Sequence, residues 1–179
     1  MKQNNYRITK IFPNTYRIED NGPSINCYFI YGEKSGMLID AGTARGDLKK
    51  VVDNLAEGKP YIVALTHGHV DHIAGAYQYK DVYISESDKD LFVDFFNHHI
   101  EYILDYFHCS AEDLIKQFNS SDDYDNYINY VSDFNIHTFK KNEIIDLGGV
   151  EIETIPTPGH TIGSYSFLDK NNRLLYVGD

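Results

Sequence analysis

The run Tyr61-Ile-Val-Ala-Leu65 has no polar residue to turn toward water, which is the pattern of a strand covered on both faces. It leads straight into Thr66-His67-Gly68-His69-Val70-Asp71-His72. A strand buried on both sides needs a layered α/β architecture, and the polar cluster must sit where that strand leaves the layers. With 8 His among 179 residues, and Asp at its frequency here, H-x-H-x-D-H is expected by accident only about 0.002 times. In an extended segment residues i and i+2 face the same side, so His67 and His69 can serve one cation. Asp71 and His72 then open a helix through Ile73, Ala74, Ala76 and Tyr77. They project toward a neighbouring point and offer a second cation one oxygen and one nitrogen.

The rest of the chain fits one domain over residues 1–179. Strands are expected at Tyr6 to Ile11, Thr15 to Glu19, Ser24 to Tyr31 and Met37 to Asp40, with turns at Pro13-Asn14, Asn21-Gly22-Pro23 and Gly32 to Gly36. This is an antiparallel meander. A helix follows over Gly46 to Leu55, where Leu48, Val51, Val52 and Leu55 repeat at helical spacing. Residues 87–131 read as an inserted helical cap with Phe92, Phe95, Phe96, Ile100, Ile103 and Phe107 on one stripe and Ser110-x-x-Asp113 as a helix start. That stripe is read as core rather than pocket, and His98 and His99 as packed or solvated. Strands return at Glu143 to Leu147 and Val150 to Ile155 around the hairpin pair Gly148-Gly149, then at Tyr165 to Asp169 and Arg173 to Val177.

Two further segments end strands with ligating side chains. Pro156-Thr-Pro-Gly159-His160 stiffens and then bends the chain, aiming a third imidazole from a loop. Asp179 follows Leu174 to Val177, and its two carboxylate oxygens can bridge two cations. Asp40, after Met37-Leu-Ile39, is read as an acid that orients the histidine loop through hydrogen bonds. Cys27 and Cys109 are too few for a disulfide framework or a cysteine metal knuckle, so metal chemistry falls to His and Asp. The formal charge of -11 opposes nucleic-acid and anionic-membrane partners. No signal-peptide core or apolar run of membrane length occurs, which points to a cytoplasmic protein.

The segments Leu-Ile-Asp40-Ala-Gly, Leu-Thr-His67-Gly-His69-Val-Asp71-His72-Ile-Ala-Gly, Thr-Pro-Gly-His160-Thr-Ile-Gly-Ser and Leu-Tyr-Val-Gly-Asp179 resemble the metallo-β-lactamase superfamily, in its order and across essentially the whole chain. The third segment is especially similar to the glyoxalase II-like branch, which hydrolyses thioesters. The resemblance implies an αββα sandwich with His67, His69 and His160 on one metal, Asp71 and His72 on a second, and Asp179 bridging them. It also implies up to two zinc ions, with iron or manganese as substitutes, a catalytic part for Asp71, and a hydroxide between the metals attacking a small ester, thioester or amide-like metabolite. The superfamily's late histidine has no counterpart after His160, so most of the second half is expected to be missing or supplied by a homo-oligomer or second chain. Three rival readings are an iron redox protein, disfavoured by His69 where such proteins carry Glu, a nuclease, disfavoured by the charge, and a non-catalytic metal-binding fragment.

Overall fold

Four N-terminal strands, β1 (Tyr6–Phe12), β2 (Thr15–Asp20), β3 (Asn26–Tyr31) and β4 (Gly36–Ile39), pair as the expected antiparallel meander. The computed structural model describes residues 6–20, 25–118, 120–130 and 133–179. The turn expected at Asn21-Gly22-Pro23, the strand start at Ser24 and the cap's end at Val131 lie outside the described residues. After β4, α1 (Leu48–Ala56) is capped by the Asp47 side chain, which accepts from Lys50 N at 2.9 Å. The chain then enters β5 (Tyr61–Ala64), parallel to β4 with Leu38 beside Val63.

Two further parallel strands extend this sheet, β6 (Asp81–Ile84) and β7 (Asn135–Thr138), to give the seven-stranded order β1-β2-β3-β4-β5-β6-β7. Neither is read from the sequence. Each is four residues long, and Asn135-Ile-His-Thr138 holds a single aliphatic side chain, so periodicity gives little signal. They become strands because β5 offers a ladder, along which Val82 then pairs with Ile136.

Alternation along these strands divides the core. Phe29, Leu38, Val63, Val82 and Ile84 face the helices, whereas Ile30, Met37, Ile39 and Ala64 face a second sheet. That second sheet comprises β8 (Ile144–Asp146), β9 (Glu151–Pro156), β10 (Tyr165–Asp169) and β11 (Leu174–Tyr176), antiparallel in the order β11-β10-β9-β8. It contributes Leu147, Ile152, Phe167 and Tyr176 to the layer between the sheets. Gly148 and Gly149 both have positive φ (91° and 76°) in the β8–β9 hairpin, as the pair requires. The layers are therefore helices, mixed sheet, antiparallel sheet.

Residues 86–128 form the crossover between β6 and β7 in several pieces rather than one helix. After α2 (Val70–Ile73) and a 3₁₀ turn at Glu86–Asp88 come α3 (Lys89–Asn97), α4 (His99–Phe107), α5 (Ala111–Leu114) and α6 (Ser121–Ile128). Ser110 caps α5 by accepting from Asp113 N. Phe92, Phe95, Phe96 and Ile103 are buried and merge with the core beneath the sheet. No helix among the described residues is long and apolar enough to cross a membrane.

Candidate metal centre

Parallel strands present their C-terminal ends on one side, and loops there converge whatever their sequence separation. β4 leads into Asp40, β5 through Leu65 into Thr66-His67, and β6 into Ser85. In the second sheet β9 and β11 both run antiparallel to β10, so the loop carrying His160 and the segment carrying Gly178-Asp179 leave at a common end. The sheets meet at Thr66, whose carbonyl accepts from Tyr165 N at 2.8 Å.

Asp40 organises the histidine loop. Its φ of 61° turns the chain sharply, and its buried carboxylate accepts from Thr66 N at 2.7 Å and Thr66 Oγ1 at 2.9 and 3.0 Å. It also lies 2.8 Å from His72 Nδ1. Backbone bonds from Ala41 N to the His72 carbonyl and from Gly75 N to the Gly42 carbonyl fasten α2 to the β4 exit. A Cβ on Gly75 would stand 2.1 Å from the Ala41 carbonyl oxygen, so only glycine permits this approach.

The six histidine and aspartate side chains expected to bind metal come together, though not equally. His67, His69 and His160 offer ring nitrogens within 4.8 Å of one another, and so do His67, His72 and Asp179 with their nitrogens and carboxylate oxygen. His69 Nδ1 approaches His160 Nε2 to 2.7 Å, and His72 Nε2 lies 3.3 Å from Asp179 Oδ1. His160 Nε2 is 3.9 Å from Asp179 Oδ2, which links the groups. Asp71 belongs to neither close group. Its carboxylate is 3.8 Å from His72 Nε2, at the edge of the cluster.

The donor chemistry suits a cation. Thr66 Oγ1 is close to both Asp40 oxygens and 3.0 Å from His67 Nδ1. With the hydroxyl donating to Asp40, His67 Nδ1–H donates to Thr66, which leaves the lone pair on Nε2. That atom is buried and has no partner among the described residues, a costly state for a polar atom unless something binds it. Burial, reinforced by the charge of His72, lowers the His67 pKa to about 4, so the ring stays neutral and able to ligate at neutral pH. Burial and then His160 also lower His69. At His72 burial works against the charge, but Asp40 by its charge and hydrogen bond, aided by Asp71 and Asp179, raises the pKa to about 9. The surrounding carboxylates thus favour positive charge at this point.

Sequence reasoning passed over two side chains at the site. Asp88 is buried behind the histidine loop and accepts from Gly68 N. Its only sequence trace is Ser85-x-x-Asp88, an ordinary helix-start pattern in which Ser85 accepts from Asp88 N. Tyr106 of α4 lines a cavity of about 510 Å³ together with Asp71, His72, Asp179, Ile11, Tyr28 and Leu174. His99, by contrast, lies between the carbonyls of Phe96 and Tyr127 and serves packing, and His98 is exposed.

Comparison with known proteins agrees with this arrangement. The family model described as the metallo-beta-lactamase superfamily matches residues 20–179. A probable metallo-hydrolase of Streptococcus pyogenes is 27% identical over 86% of this chain and 60% of its own length. The hydroxyacylglutathione hydrolase GloC of Haemophilus influenzae is 27% identical over 86% of this chain and 65% of its own length, and the uncharacterized Bacillus subtilis protein YobT is 31% identical over 87% and 61%. This chain therefore spans about three-fifths of the length of the curated relatives it matches. Among solved structures, the MIM-2 metallo-beta-lactamase superposes with a TM-score of 0.59 at 20% identity, covering 95% of this chain and 59% of that one. The class B3 di-zinc metallo-beta-lactamase LRA-12 from an Alaskan soil metagenome gives 0.57 at 21% identity, with 94% and 58% covered. The family model covers well over half of the chain, so the chain belongs to the metallo-β-lactamase superfamily.

Proposed function

We propose that this chain carries the metal centre of a hydrolase that cleaves a small ester, thioester or amide-like metabolite. The observation that carries the reading is the buried Nε2 of His67, without a partner among the described residues, facing His69, His72 and His160, with Asp179 beside them. His67, His69 and His160 would hold one zinc ion, a set of three imidazoles that leaves a coordination position open. His72 and Asp71 would hold a second, with Asp179 between the two. Bound there, zinc would supply the Lewis acidity that activates water and polarises a carbonyl, and iron or manganese suits the same donors.

The protein's own groups divide the remaining work. Asp40 holds His72 and, through Thr66, His67 in a fixed orientation. Asp71, which lines the cavity 3.8 Å from His72 Nε2, would give one carboxylate oxygen to the second ion and keep the other to take a proton from water. The cavity is of metabolite size and is lined by both polar groups, among them Asp71, His72 and Asp179, and aliphatic ones such as Ile11, Ile25 and Leu174. A thioester is favoured within this class by the Thr-Pro-Gly-His160-Thr-Ile-Gly segment and by the similarity to the Haemophilus hydroxyacylglutathione hydrolase. The test is a panel of thioesters, lactones and phosphodiesters offered to the zinc-loaded chain, with His160→Ala as control. Thioester turnover that the control lacks supports the reading. Zinc binding without turnover of any substrate supports a non-catalytic metal-binding role instead, and a chain that retains no zinc overturns both.

A further inference from the structure

Two buried carboxylates stand behind the histidines, and only Asp40 touches an imidazole. Asp88, 1% exposed, reaches both histidine loops without contacting either ring. Its Oδ2 accepts from Gly68 N at 2.9 Å, between His67 and His69, and from Thr161 Oγ1 at 2.7 Å, next to His160. Its Oδ1 accepts from Gly163 N at 2.9 Å. Among the described residues no cation pairs with it. A buried carboxylate is costly, and three hydrogen bonds to neutral donors offset that cost only while both loops stay in place. The fit is close: a Cβ on Gly163 would lie 2.4 Å from Asp88 Oδ1 and 2.1 Å from Ser85 Oγ. Ser85 in turn accepts from Asp88 N at 3.1 Å and keeps the carboxylate at the β6 exit.

We infer that Asp88 is a positioning residue that clamps the loop of His67 and His69 to the loop of His160 and so sets the spacing of the three-imidazole group. These loops come from different sheets and lie 91 residues apart at the His69–His160 contact. Apart from the rings, the clamp is a direct tie between them. It acts on main chain and Thr161, so its loss would move ring positions without removing a donor. The inference rests on the proposed zinc site, but the spacing it concerns exists in the metal-free chain.

The test compares Asp88→Asn and Thr161→Val with the parent chain. Asparagine keeps one accepting oxygen but turns an amide N–H toward a Gly68 or Gly163 N–H, which breaks the tie to one loop. Valine removes only the Thr161 hydroxyl and guards against a failure of the first variant to fold. Zinc affinity by chelator competition should fall about 10- to 100-fold in Asp88→Asn, the range for lost support behind metal ligands, and less in Thr161→Val. The cobalt(II) ligand-field spectrum should shift with it, which a general loss of stability would not produce. In metal-free protein the cross-ring nuclear Overhauser effect between His69 and His160 should weaken in both variants. Should the parent bind no zinc, the metal reading fails, and this ring contact alone decides on Asp88. An unchanged ring contact in folded variants, or zinc affinity and cobalt spectrum matching the parent, overturns the inference.

Discussion

The three-imidazole group and the group around His72 and Asp179 share His67 but are built differently. In the first, nitrogen donors come from two loops, and Asp88 ties those loops together from behind. In the second, His72 is buried and held by Asp40, whereas Asp71 stands 3.8 Å from the ring and outside the close group. His160 is itself 39% exposed, but its loop is held through Thr161 and Gly163, and a donor on a held loop loses little freedom on binding, whereas Asp71 must close on the His72 ring to share an ion with it. The contrast teaches that nearness of ligands does not equalise two sites. What stands behind each ligand does, and by that measure the first group should bind metal more tightly.

Removing the shared residue is the strongest way to break the comparison. His67→Ala should abolish the tightly held zinc of the three-imidazole group, measured as metal per chain after dialysis, and leave the weaker equivalent to His72, Asp71 and Asp179; retention of the tight equivalent would mean that His67 Nε2 is not a ligand. Asp40→Ala comes next. It leaves His72 and Thr66 N buried without their acceptor, and breaking a buried pair costs roughly 3–5 kcal/mol. Urea denaturation of the metal-free chain should register a loss of that size. Asp179→Asn sharpens the contrast: the weaker zinc equivalent should fall about 10-fold or more while stability stays within about 0.5 kcal/mol, as for other exposed positions. The smallest effect is expected for Tyr106→Phe, which should leave both zinc affinities unchanged and move only the KM of whatever occupies the cavity. A change in metal content for that variant would place the phenol among the ligands.

Much of this organisation is legible in the residues themselves. His67, His69, Asp71, His72, His160 and Asp179 stand out because their types are rare together and each follows an apolar strand. Asp40 is readable for the same reason, since a lone acid ends Met37-Leu-Ile39. Strands β6 and β7 escape because they are short and start on polar residues, with a single aliphatic side chain in β7, whereas the equally short β4 and β5 are unbroken apolar runs. Asp88 escapes for a different reason. Its partners are the main chain of Gly68 and Gly163 and the hydroxyl of Thr161, at separations of 20, 75 and 73 residues, and nothing local announces a carboxylate that works through distant backbone. The crossover over residues 86–128 is readable as helix from its aromatic stripe, and the start of α5 from Ser110-x-x-Asp113, whereas the break between α3 and α4 at His98 carries no Gly, Pro or capping signal.

Stepwise zinc titration of the metal-free chain against a competing chelator tests the central claim most directly. Two steps of unequal affinity are predicted, the tighter lost in His69→Ala and His160→Ala and the weaker lost in Asp179→Asn. A single weak step indifferent to all three substitutions, or two equal steps that none of them disturbs, would contradict a metal centre built from these residues.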